Sequence, residues 1–97
     1  MPFGNPVPHA FSYAGVQMYA PAASGVYGIS NSREWIYIGA TDDILSSLLS
    51  HLQETGTGIM NRRPSGFVFE LRGTGDRSAR QDRLVMEYEP VCNRQSQ

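Results

Sequence analysis

The segment GVYGISNSREWIYIGATDDILSSLLSHLQ, residues 25–53, decides the fold of this chain. Its first half holds two β-rich runs, GVYGIS and EWIYIGA, separated by the short polar connection NSR, and this pattern predicts a β-hairpin. Because side chains alternate between the two faces of a strand, Tyr27 and Tyr37 are predicted to share one face, with Trp35 beside Tyr37. The hairpin is therefore expected to present a pair of tyrosines on one side.

The second half of the segment predicts an amphipathic helix over residues 42–55, capped by Thr41 or Asp42. Isoleucine and leucine recur at spacings of three and four, which gives a single apolar stripe. The stripe consists of Ile44, Leu45, Leu48, Leu49 and Leu52. A polar row lies beside the stripe and consists of Ser47, His51 and Glu54. His51 is thus placed on the helix that follows the tyrosine hairpin.

The remaining sequence completes a β-β-α-β-α order. The run GTGIMNRRPS is rich in breakers and predicts a loop, whereas GFVFELR alternates and predicts a third strand. A last helix is predicted over residues 77–88. Gln81 falls on the inward face of that helix, where a buried amide needs a hydrogen-bond partner in the sheet or on Asn93. The order predicts a small α/β (α+β) domain with a three-stranded sheet, spanning residues 23–93.

Residues 1–22 form an arm rich in proline and aromatic residues, and residues 94–97 form a short tail. Four of the six prolines lie in the arm. The arm therefore cannot be helical near its prolines, because proline lacks the amide donor and clashes with the preceding turn. The aromatic residues of the arm predict that it packs onto the domain, with an added edge strand around residues 13–19.

Composition favours one small domain and excludes a generally basic nucleic-acid coat. The 97 residues carry a net charge of −1 and are 40% apolar, enough for one modest core. Residues 1–61 hold one arginine against four acids, whereas residues 62–97 hold seven arginines against five acids. No run is long and apolar enough to cross a bilayer. Cys92 is the single cysteine, so an internal disulfide is excluded and a cytoplasmic location is expected.

These motifs resemble those of the GIY-YIG nuclease superfamily. GVY (25–27) stands at the first motif and YIG (37–39) at the second, and the similarity continues through the polar loop and helix to the histidine in YIGATDDILSSLLSH. The run LVMEYEPVCN (84–93) is similar to the closing helix of the family, which is followed by proline, two residues and asparagine. The resemblance covers residues 24–93.

The resemblance implies a three-stranded sheet flanked by helices and metal-assisted hydrolysis of a DNA phosphodiester. It implies that Tyr27 helps to activate the attacking water, that Tyr37 is the second active-site tyrosine and that His51 assists proton transfer. Asn93 matches the asparagine that supports the site. A phenol has an unperturbed pKa of about 10, so it needs an electrostatic partner to act as a base near neutral pH. Mg²⁺ is the cofactor that the nuclease interpretation implies.

Two positions depart from the family pattern. Ser47 stands where the family has the helix arginine, four residues before the histidine, and Gln81 stands where it has the metal-binding glutamate. Arginine clamps a phosphate and glutamate supplies an anionic oxygen to Mg²⁺, and neither serine nor glutamine carries the required charge. Removing one preorganised electrostatic group typically costs about 10²–10³ in rate. We therefore expect little catalysis from a site that lacks both.

Three functions stay open at this point. The first is a catalytically degenerate nuclease-like domain that retains weak nucleic-acid binding, with Arg62 and Arg63 as the predicted phosphate contacts. The second is an active Mg²⁺-dependent endonuclease. The third is a protein-interaction scaffold in which the arm, residues 1–22, contacts a partner or a second copy. The arginines expected to border the cleft are Arg62, Arg63, Arg72, Arg77, Arg80 and Arg83.

Overall fold

In the computed structural model, which describes residues 8–53 and 58–93, a four-stranded antiparallel sheet has helices on both faces. In chain order the elements are β1 (His9–Ala10), α1 (Tyr13–Tyr19), β2 (Gly25–Ser30), β3 (Trp35–Thr41), α2 (Ile44–Gln53), α3 (Gly58–Asn61), β4 (Gly66–Leu71) and α4 (Arg77–Tyr88). The strands are ordered β1-β4-β2-β3 across the sheet. The predicted fold class is confirmed, and a two-residue strand, β1, is added to the three predicted strands.

The β2–β3 hairpin contains a bulge that changes the face of one aromatic residue. Tyr27 pairs with Gly39 and Ile29 with Tyr37, but the register shifts beyond Ile29 so that Ser30 pairs with Trp35. An extra residue on one strand reverses the side-chain alternation on its far side. Trp35 therefore packs against α4, in the opposite cluster to Tyr37, and the prediction that the two share a face is wrong.

Helix α2 begins later than predicted because a different residue caps it. The carboxylate of Asp43 accepts from the amide of Ser46 at 3.0 Å, as an N-cap side chain does. Thr41 instead accepts from the amide of Asp43 at 3.1 Å. The predicted cap at Thr41 or Asp42 is thus wrong. Ile44 and Leu48 are fully buried and the other three leucines of the stripe are half-buried, while residues 54 and 55 of the predicted helix lie outside the described residues.

The second part of the arm is a helix, so the edge strand predicted around residues 13–19 is wrong. The Ser12 hydroxyl accepts from the amide of Gly15 at 3.1 Å and caps α1. Val16 of α1 is completely buried in the core shared with α2. The strand that joins the sheet is β1, which lies before α1 and pairs with Gly66 and Phe67 of β4. Local capping, rather than β propensity, decides this segment.

Helix α4 ends where predicted, and the chain then returns along β3. Glu89 adopts a left-handed conformation (φ 50°) and its amide bonds to the Val85 carbonyl, which closes the helix. The amide of Val91 donates to the carbonyl of Trp35 at 3.1 Å, and that of Cys92 donates to Ile36 at 2.8 Å. The segment 91–93 therefore lies against the outer side of β3. Among the described residues, no helix combines the length and the apolar character needed to cross a membrane.

A partly buried ion-pair cluster joins β4 to α4. Both Arg80 and Arg72 bond to Glu70, with contacts of 2.8 and 3.0 Å from Arg80 and 2.6 Å from Arg72. Arg72 also reaches Asp76 at 3.1 Å. Partial burial by itself would raise the pKa of Glu70, but the hydrogen bonds and charges of Arg80 and Arg72 outweigh it and hold the pKa below the ordinary value of 4.5. The ionised form of Glu70 therefore stabilises the fold.

We expect this pKa shift to affect how the free energy of unfolding falls at acidic pH. Because the pKa of Glu70 is lower in the folded state, its contribution is fully present above pH 4.5 and is lost as the pH falls through the folded value. Urea denaturation at a series of pH values from 7 to 3 measures the effect. In Glu70→Gln the drop in unfolding free energy below pH 4.5 should be shallower. If the substitution leaves the drop in unfolding free energy below pH 4.5 unchanged, the lowered pKa of Glu70 is contradicted.

Candidate functional site

Three of the predicted site residues converge on the α2 face of the sheet. The Tyr27 hydroxyl lies 2.8 Å from Nε2 of His51. The ring of Tyr37 completes the group, with centroids 6.1 Å from the Tyr27 ring and 5.5 Å from the His51 ring. Strand pairing positions the tyrosines, and α2 brings His51 across from them. We call Tyr27, Tyr37 and His51 the tyrosine–histidine cluster.

Gly39 makes the close packing of this cluster feasible. A Cβ at this position would lie 2.6 Å from the Tyr27 hydroxyl oxygen, 2.7 Å from its Cζ and 2.9 Å from Cε2 of Tyr37. Each distance is well inside van der Waals contact. The Tyr27 ring therefore lies directly over the backbone of β3, with only 4% of its surface exposed, and its hydroxyl is aimed at His51.

The Tyr27–His51 hydrogen bond can carry a proton between phenol and imidazole. Either group can be the donor, depending on the tautomer of His51. Such a pair has the reach required of a general base acting on a hydroxyl. Tyr37 and His51 are half-buried and Tyr27 is buried, so a ligand would approach the cluster from the Tyr37 and His51 side.

Ser47 lies one helical turn before His51 and bonds to a neutral partner. Its hydroxyl is 2.7 Å from the hydroxyl of Thr41, at the end of β3. Two paired hydroxyls can donate hydrogen bonds but cannot supply the positive charge of a guanidinium. The position that the family resemblance assigns to a phosphate clamp is therefore neutral in this chain.

Gln81 and Asn93 both bind the backbone of Ile38. The Gln81 amide donates to the Ile38 carbonyl at 3.1 Å, which confirms the prediction that Gln81 bonds to the sheet. Asn93 donates to the same carbonyl at 2.9 Å and accepts from the Ile38 amide at 2.7 Å. Asn93 thus holds β3 at the residue next to Tyr37. Both side chains fix the position of the strand.

This donor set does not fit Mg²⁺. Magnesium is held through anionic oxygens, whereas the Gln81 side chain is neutral and uses its amide nitrogen on a carbonyl. Within residues 8–53 and 58–93, no group of three or more histidine, cysteine, aspartate or glutamate side chains is arranged to hold a metal ion. The residues around Ile38 serve as structural hydrogen-bond donors and acceptors, so we derive no metal-dependent step from them.

Arg62 and Arg63 lie at the turn end of the hairpin. Together with the β2–β3 turn they line an open pocket of about 420 Å³. Arg62 forms an ion pair with Glu34 at 3.7 Å, and Arg63 adopts a left-handed backbone conformation (φ 57°). Arg33 lines the same pocket and was missed by sequence reasoning. Its position in a predicted turn was the available signal, but only β2–β4 pairing brings it near Arg62.

The other arginines do not form one patch with this pair. Arg80 is buried and, with Arg72, is held by Glu70, so Arg80 cannot contact a nucleic acid on the surface. Arg77 donates to the hydroxyl of Ser24 at 3.0 Å. Arg83 is exposed on α4 and is not among the residues that line the pocket. The expectation that all six arginines border one cleft is wrong, because sequence distribution cannot show which cations neighbouring acids neutralise.

Comparisons with known proteins place the fold. No protein-family model matches this chain, and no curated protein matches it by sequence. The chain is similar to solved structures of the GIY-YIG N-terminal endonuclease domain of UvrC from Thermotoga maritima. The magnesium-bound form has a TM-score of 0.66 at 20% identity, covering 77% of this chain and 91% of that one. Two point mutants of that domain, one with tyrosine replaced by phenylalanine and one with asparagine replaced by alanine, have TM-scores of 0.65 and 0.66 at 20% identity. Each match covers 77% of this chain and 90% of the mutant domain. This chain therefore has the GIY-YIG fold.

Proposed function

We propose that this chain is a catalytically degenerate nuclease-like domain that binds nucleic acid weakly and does not hydrolyse it. The observation that carries the proposal is the pairing of Ser47 with Thr41 and of Gln81 with Ile38. Both side chains are neutral, and both are engaged in bonds that hold the fold together. The UvrC domain of the same fold was solved with its catalytic divalent cation.

Cys92, the single cysteine, favours a cytoplasmic location.

The two replacements act on different parts of a hydrolytic reaction. A neutral Ser47 leaves the charge that develops on a phosphate unbalanced, and a neutral Gln81 leaves a divalent cation without its anionic ligand. Each loss of a preorganised electrostatic group costs about 10²–10³ in rate. The tyrosine–histidine cluster alone supplies proton transfer, which contributes about 10²–10⁴. Proton transfer without charge stabilisation does not make an efficient phosphodiesterase.

Binding is the activity that the remaining surface favours. Arg62 and Arg63 lie beside each other at the hairpin turn, and guanidinium groups bind phosphate oxygens through paired hydrogen bonds. Few such contacts give non-specific affinities, with Kd of roughly 10⁻⁴–10⁻⁶ M at physiological salt. The proposed activity is therefore weak association with a phosphate backbone.

A plasmid-cleavage assay separates this proposal from an active endonuclease. The full chain is incubated with supercoiled plasmid and Mg²⁺ or Mn²⁺, beside a Tyr27→Phe variant. We expect both proteins to leave the plasmid intact. Cleavage by the parent chain that is lost in Tyr27→Phe would establish the enzyme instead, because the retained Tyr27–His51 hydrogen bond is the feature that favours catalysis.

We expect replacement of the arginine pair to weaken nucleic-acid binding and to reduce its salt dependence. The variant carries Arg62→Ala with Arg63→Asn, because asparagine tolerates the left-handed conformation at position 63 better than alanine does. Loss of each phosphate contact should flatten the slope of log K against log salt by roughly 0.9 on duplex DNA. Fluorescence anisotropy across a salt series measures the slope.

Arg83→Ala is the control for removal of a positive charge elsewhere on the surface, because Arg83 is exposed on α4 outside the pocket. It should retain most of the binding. Failure of the parent chain to bind any oligonucleotide at low salt would refute the proposal and favour the scaffold hypothesis. The exposed residues Tyr13, Met18 and Tyr19 on α1 would then be the first surface to test for a protein partner.

A further inference from the structure

We propose that the pocket between the β2–β3 turn and residues 61–63 binds the terminal phosphate of a nucleic-acid strand. The inference rests on the proposed nucleic-acid binding and specifies which part of the strand is recognised. It assigns a ligand to a surface that lies at the turn end of the hairpin. Neither the tyrosine–histidine cluster nor the Ile38 contacts contribute to its lining.

The pocket is a half-open recess lined mainly by hydrogen-bond donors, with Glu34 as the one carboxylate among its described lining residues. Its volume of about 420 Å³ is within the usual range for small-ligand pockets. Its cationic residues are Arg33, Arg62 and Arg63, and its neutral polar residues are Asn31, Ser32 and Asn61. Arginine provides five donors in a planar arrangement that matches phosphate oxygens, and the amide and hydroxyl groups add further donors. Apart from Glu34, which forms an ion pair with Arg62, the lining therefore matches a group that only accepts hydrogen bonds.

The charge of the lining favours a phosphate monoester over a diester. Three arginines and Glu34 leave a net charge of +2 among the described lining residues, and Glu34 faces Arg62 at 3.7 Å. A phosphate monoester carries about −1.5 to −2 at pH 7. An internal diester of a strand carries one negative charge per phosphate. The terminal phosphate is thus the nucleic-acid group whose charge complements the pocket.

The two loops that form the pocket are fastened to each other. Asn31 donates to the carbonyl of Arg62 at 2.7 Å, and its side-chain oxygen accepts from the amides of Arg33 and Glu34 at 2.8 and 2.9 Å. The amide of Ser65 donates to the carbonyl of Ser30 at 2.9 Å. A backbone fixed before binding loses little conformational entropy when the ligand arrives. The arginine side chains are therefore presented from a rigid base.

The recessed shape of the pocket is a second reason to expect that it binds a terminal phosphate and not an internal one. An internal phosphate has a nucleotide on each side, and both must leave a pocket by its mouth. A terminal phosphate has a neighbour on one side only, so the strand obstructs its approach to the three arginines less than it obstructs that of an internal phosphate. The pocket should consequently distinguish strands by the chemistry of their ends.

The test compares strands that differ only at one end. The full chain is titrated with one ten-nucleotide single strand in three forms, bearing a 5′-hydroxyl, a 5′-phosphate or a 3′-phosphate, with adenosine and adenosine monophosphate as further arms. We expect at least one phosphorylated strand to bind about tenfold more tightly than the hydroxyl form, as hydrogen bonds to a charged group imply. Adenosine monophosphate should bind in preference to adenosine.

Variants assign the preference to the pocket. In Arg33→Ala and in Arg63→Asn, the affinity for the preferred phosphorylated strand should exceed that for the hydroxyl strand by no more than about twofold. Arg83→Ala should retain the ratio, and circular dichroism checks that each variant is folded. Equal binding of all three strands overturns this inference while the proposed nucleic-acid binding stands. Preference for the mononucleotide without any preference among strands also overturns it. Absence of binding to every strand, together with absence of binding to duplex DNA at low salt, overturns both.

Discussion

Replacing Arg80 by alanine is expected to lower the free energy of unfolding by about 3–5 kcal/mol, because the change breaks a buried ion pair. The Arg80 side chain is only 8% exposed and makes two hydrogen bonds to the carboxylate of Glu70. Removing it leaves a partly buried carboxylate that has lost its main partner. Small domains are stable by about 5–15 kcal/mol, so the variant would lose a large share of its stability.

Arg72→Ala is the matched control, since Arg72 bonds to the same carboxylate from a more exposed position. Its loss should be much smaller, because solvent screens exposed ion pairs. Urea denaturation of both variants measures the difference. A second comparison replaces both partners, with Arg80→Met and Glu70→Leu together, which should recover much of the stability because no unpaired charge remains. Equal losses for Arg72→Ala and Arg80→Ala would contradict the argument.

Replacing Gly25 by alanine is the second change for which we expect a large loss, at or beyond about 3 kcal/mol, the upper part of the usual range for overpacking. Gly25 lies in the central strand β2, and a Cβ there would be 2.2 Å from the backbone carbonyl oxygen of Glu70 and 2.9 Å from Ile44. A strand backbone cannot move aside as a flexible side chain can. Reduced entropy of the unfolded chain offsets only about 0.4–1 kcal/mol.

Gly73→Ala provides the reference for that measurement. An added Cβ at Gly73 meets nothing within 4 Å. The substitution should therefore be neutral or stabilise the protein by a few tenths of a kcal/mol, up to about 1 kcal/mol. Thermal denaturation of both variants, at matched concentration, gives the comparison. A Gly25→Ala protein as stable as Gly73→Ala would show that β2 and β4 are less closely packed than the register implies.

The elements that local patterns determine were predictable. The hairpin follows from two alternating runs around a polar turn, and α4 occupies residues 77–88 as its periodicity indicates. The inward direction of Gln81 follows from helical geometry alone, and its bond to Ile38 confirms it. Each of these predictions depends on residues within one or two turns of each other, where spacing fixes direction.

The errors arose where longer-range or finer effects decide the structure. Aromatic content suggested a strand around residues 13–19, but the Ser12 cap and the burial of Val16 produce a helix. One extra residue in β3 turns Trp35 to the other face. Composition placed Arg80 in a binding surface, although its carboxylate partner removes it from one.

The candidate site likewise contains residues that the sequence indicated and a residue that only the structure reveals. The family resemblance implied that Tyr27, Tyr37 and His51 form one group, and the fold brings them together. Sequence reasoning indicated Arg62 and Arg63 but not Arg33, because Arg33 and Arg62 are far apart in the chain and are brought to one pocket only by strand pairing. Which of these residues acts on a ligand stays a prediction, to be decided by the experiments proposed above.

The contacts along β3 also bear on self-association. A strand at the border of a sheet offers amide and carbonyl groups onto which another chain can add a strand, the usual start of aggregation. Here the backbone amides of Val91 and Cys92 and the side chains of Gln81 and Asn93 bond to such groups between Trp35 and Ile38. A proteolytic cut after α4, or displacement of that short segment, would expose the outer edge of β3 and leave it open to pairing with a strand of another chain.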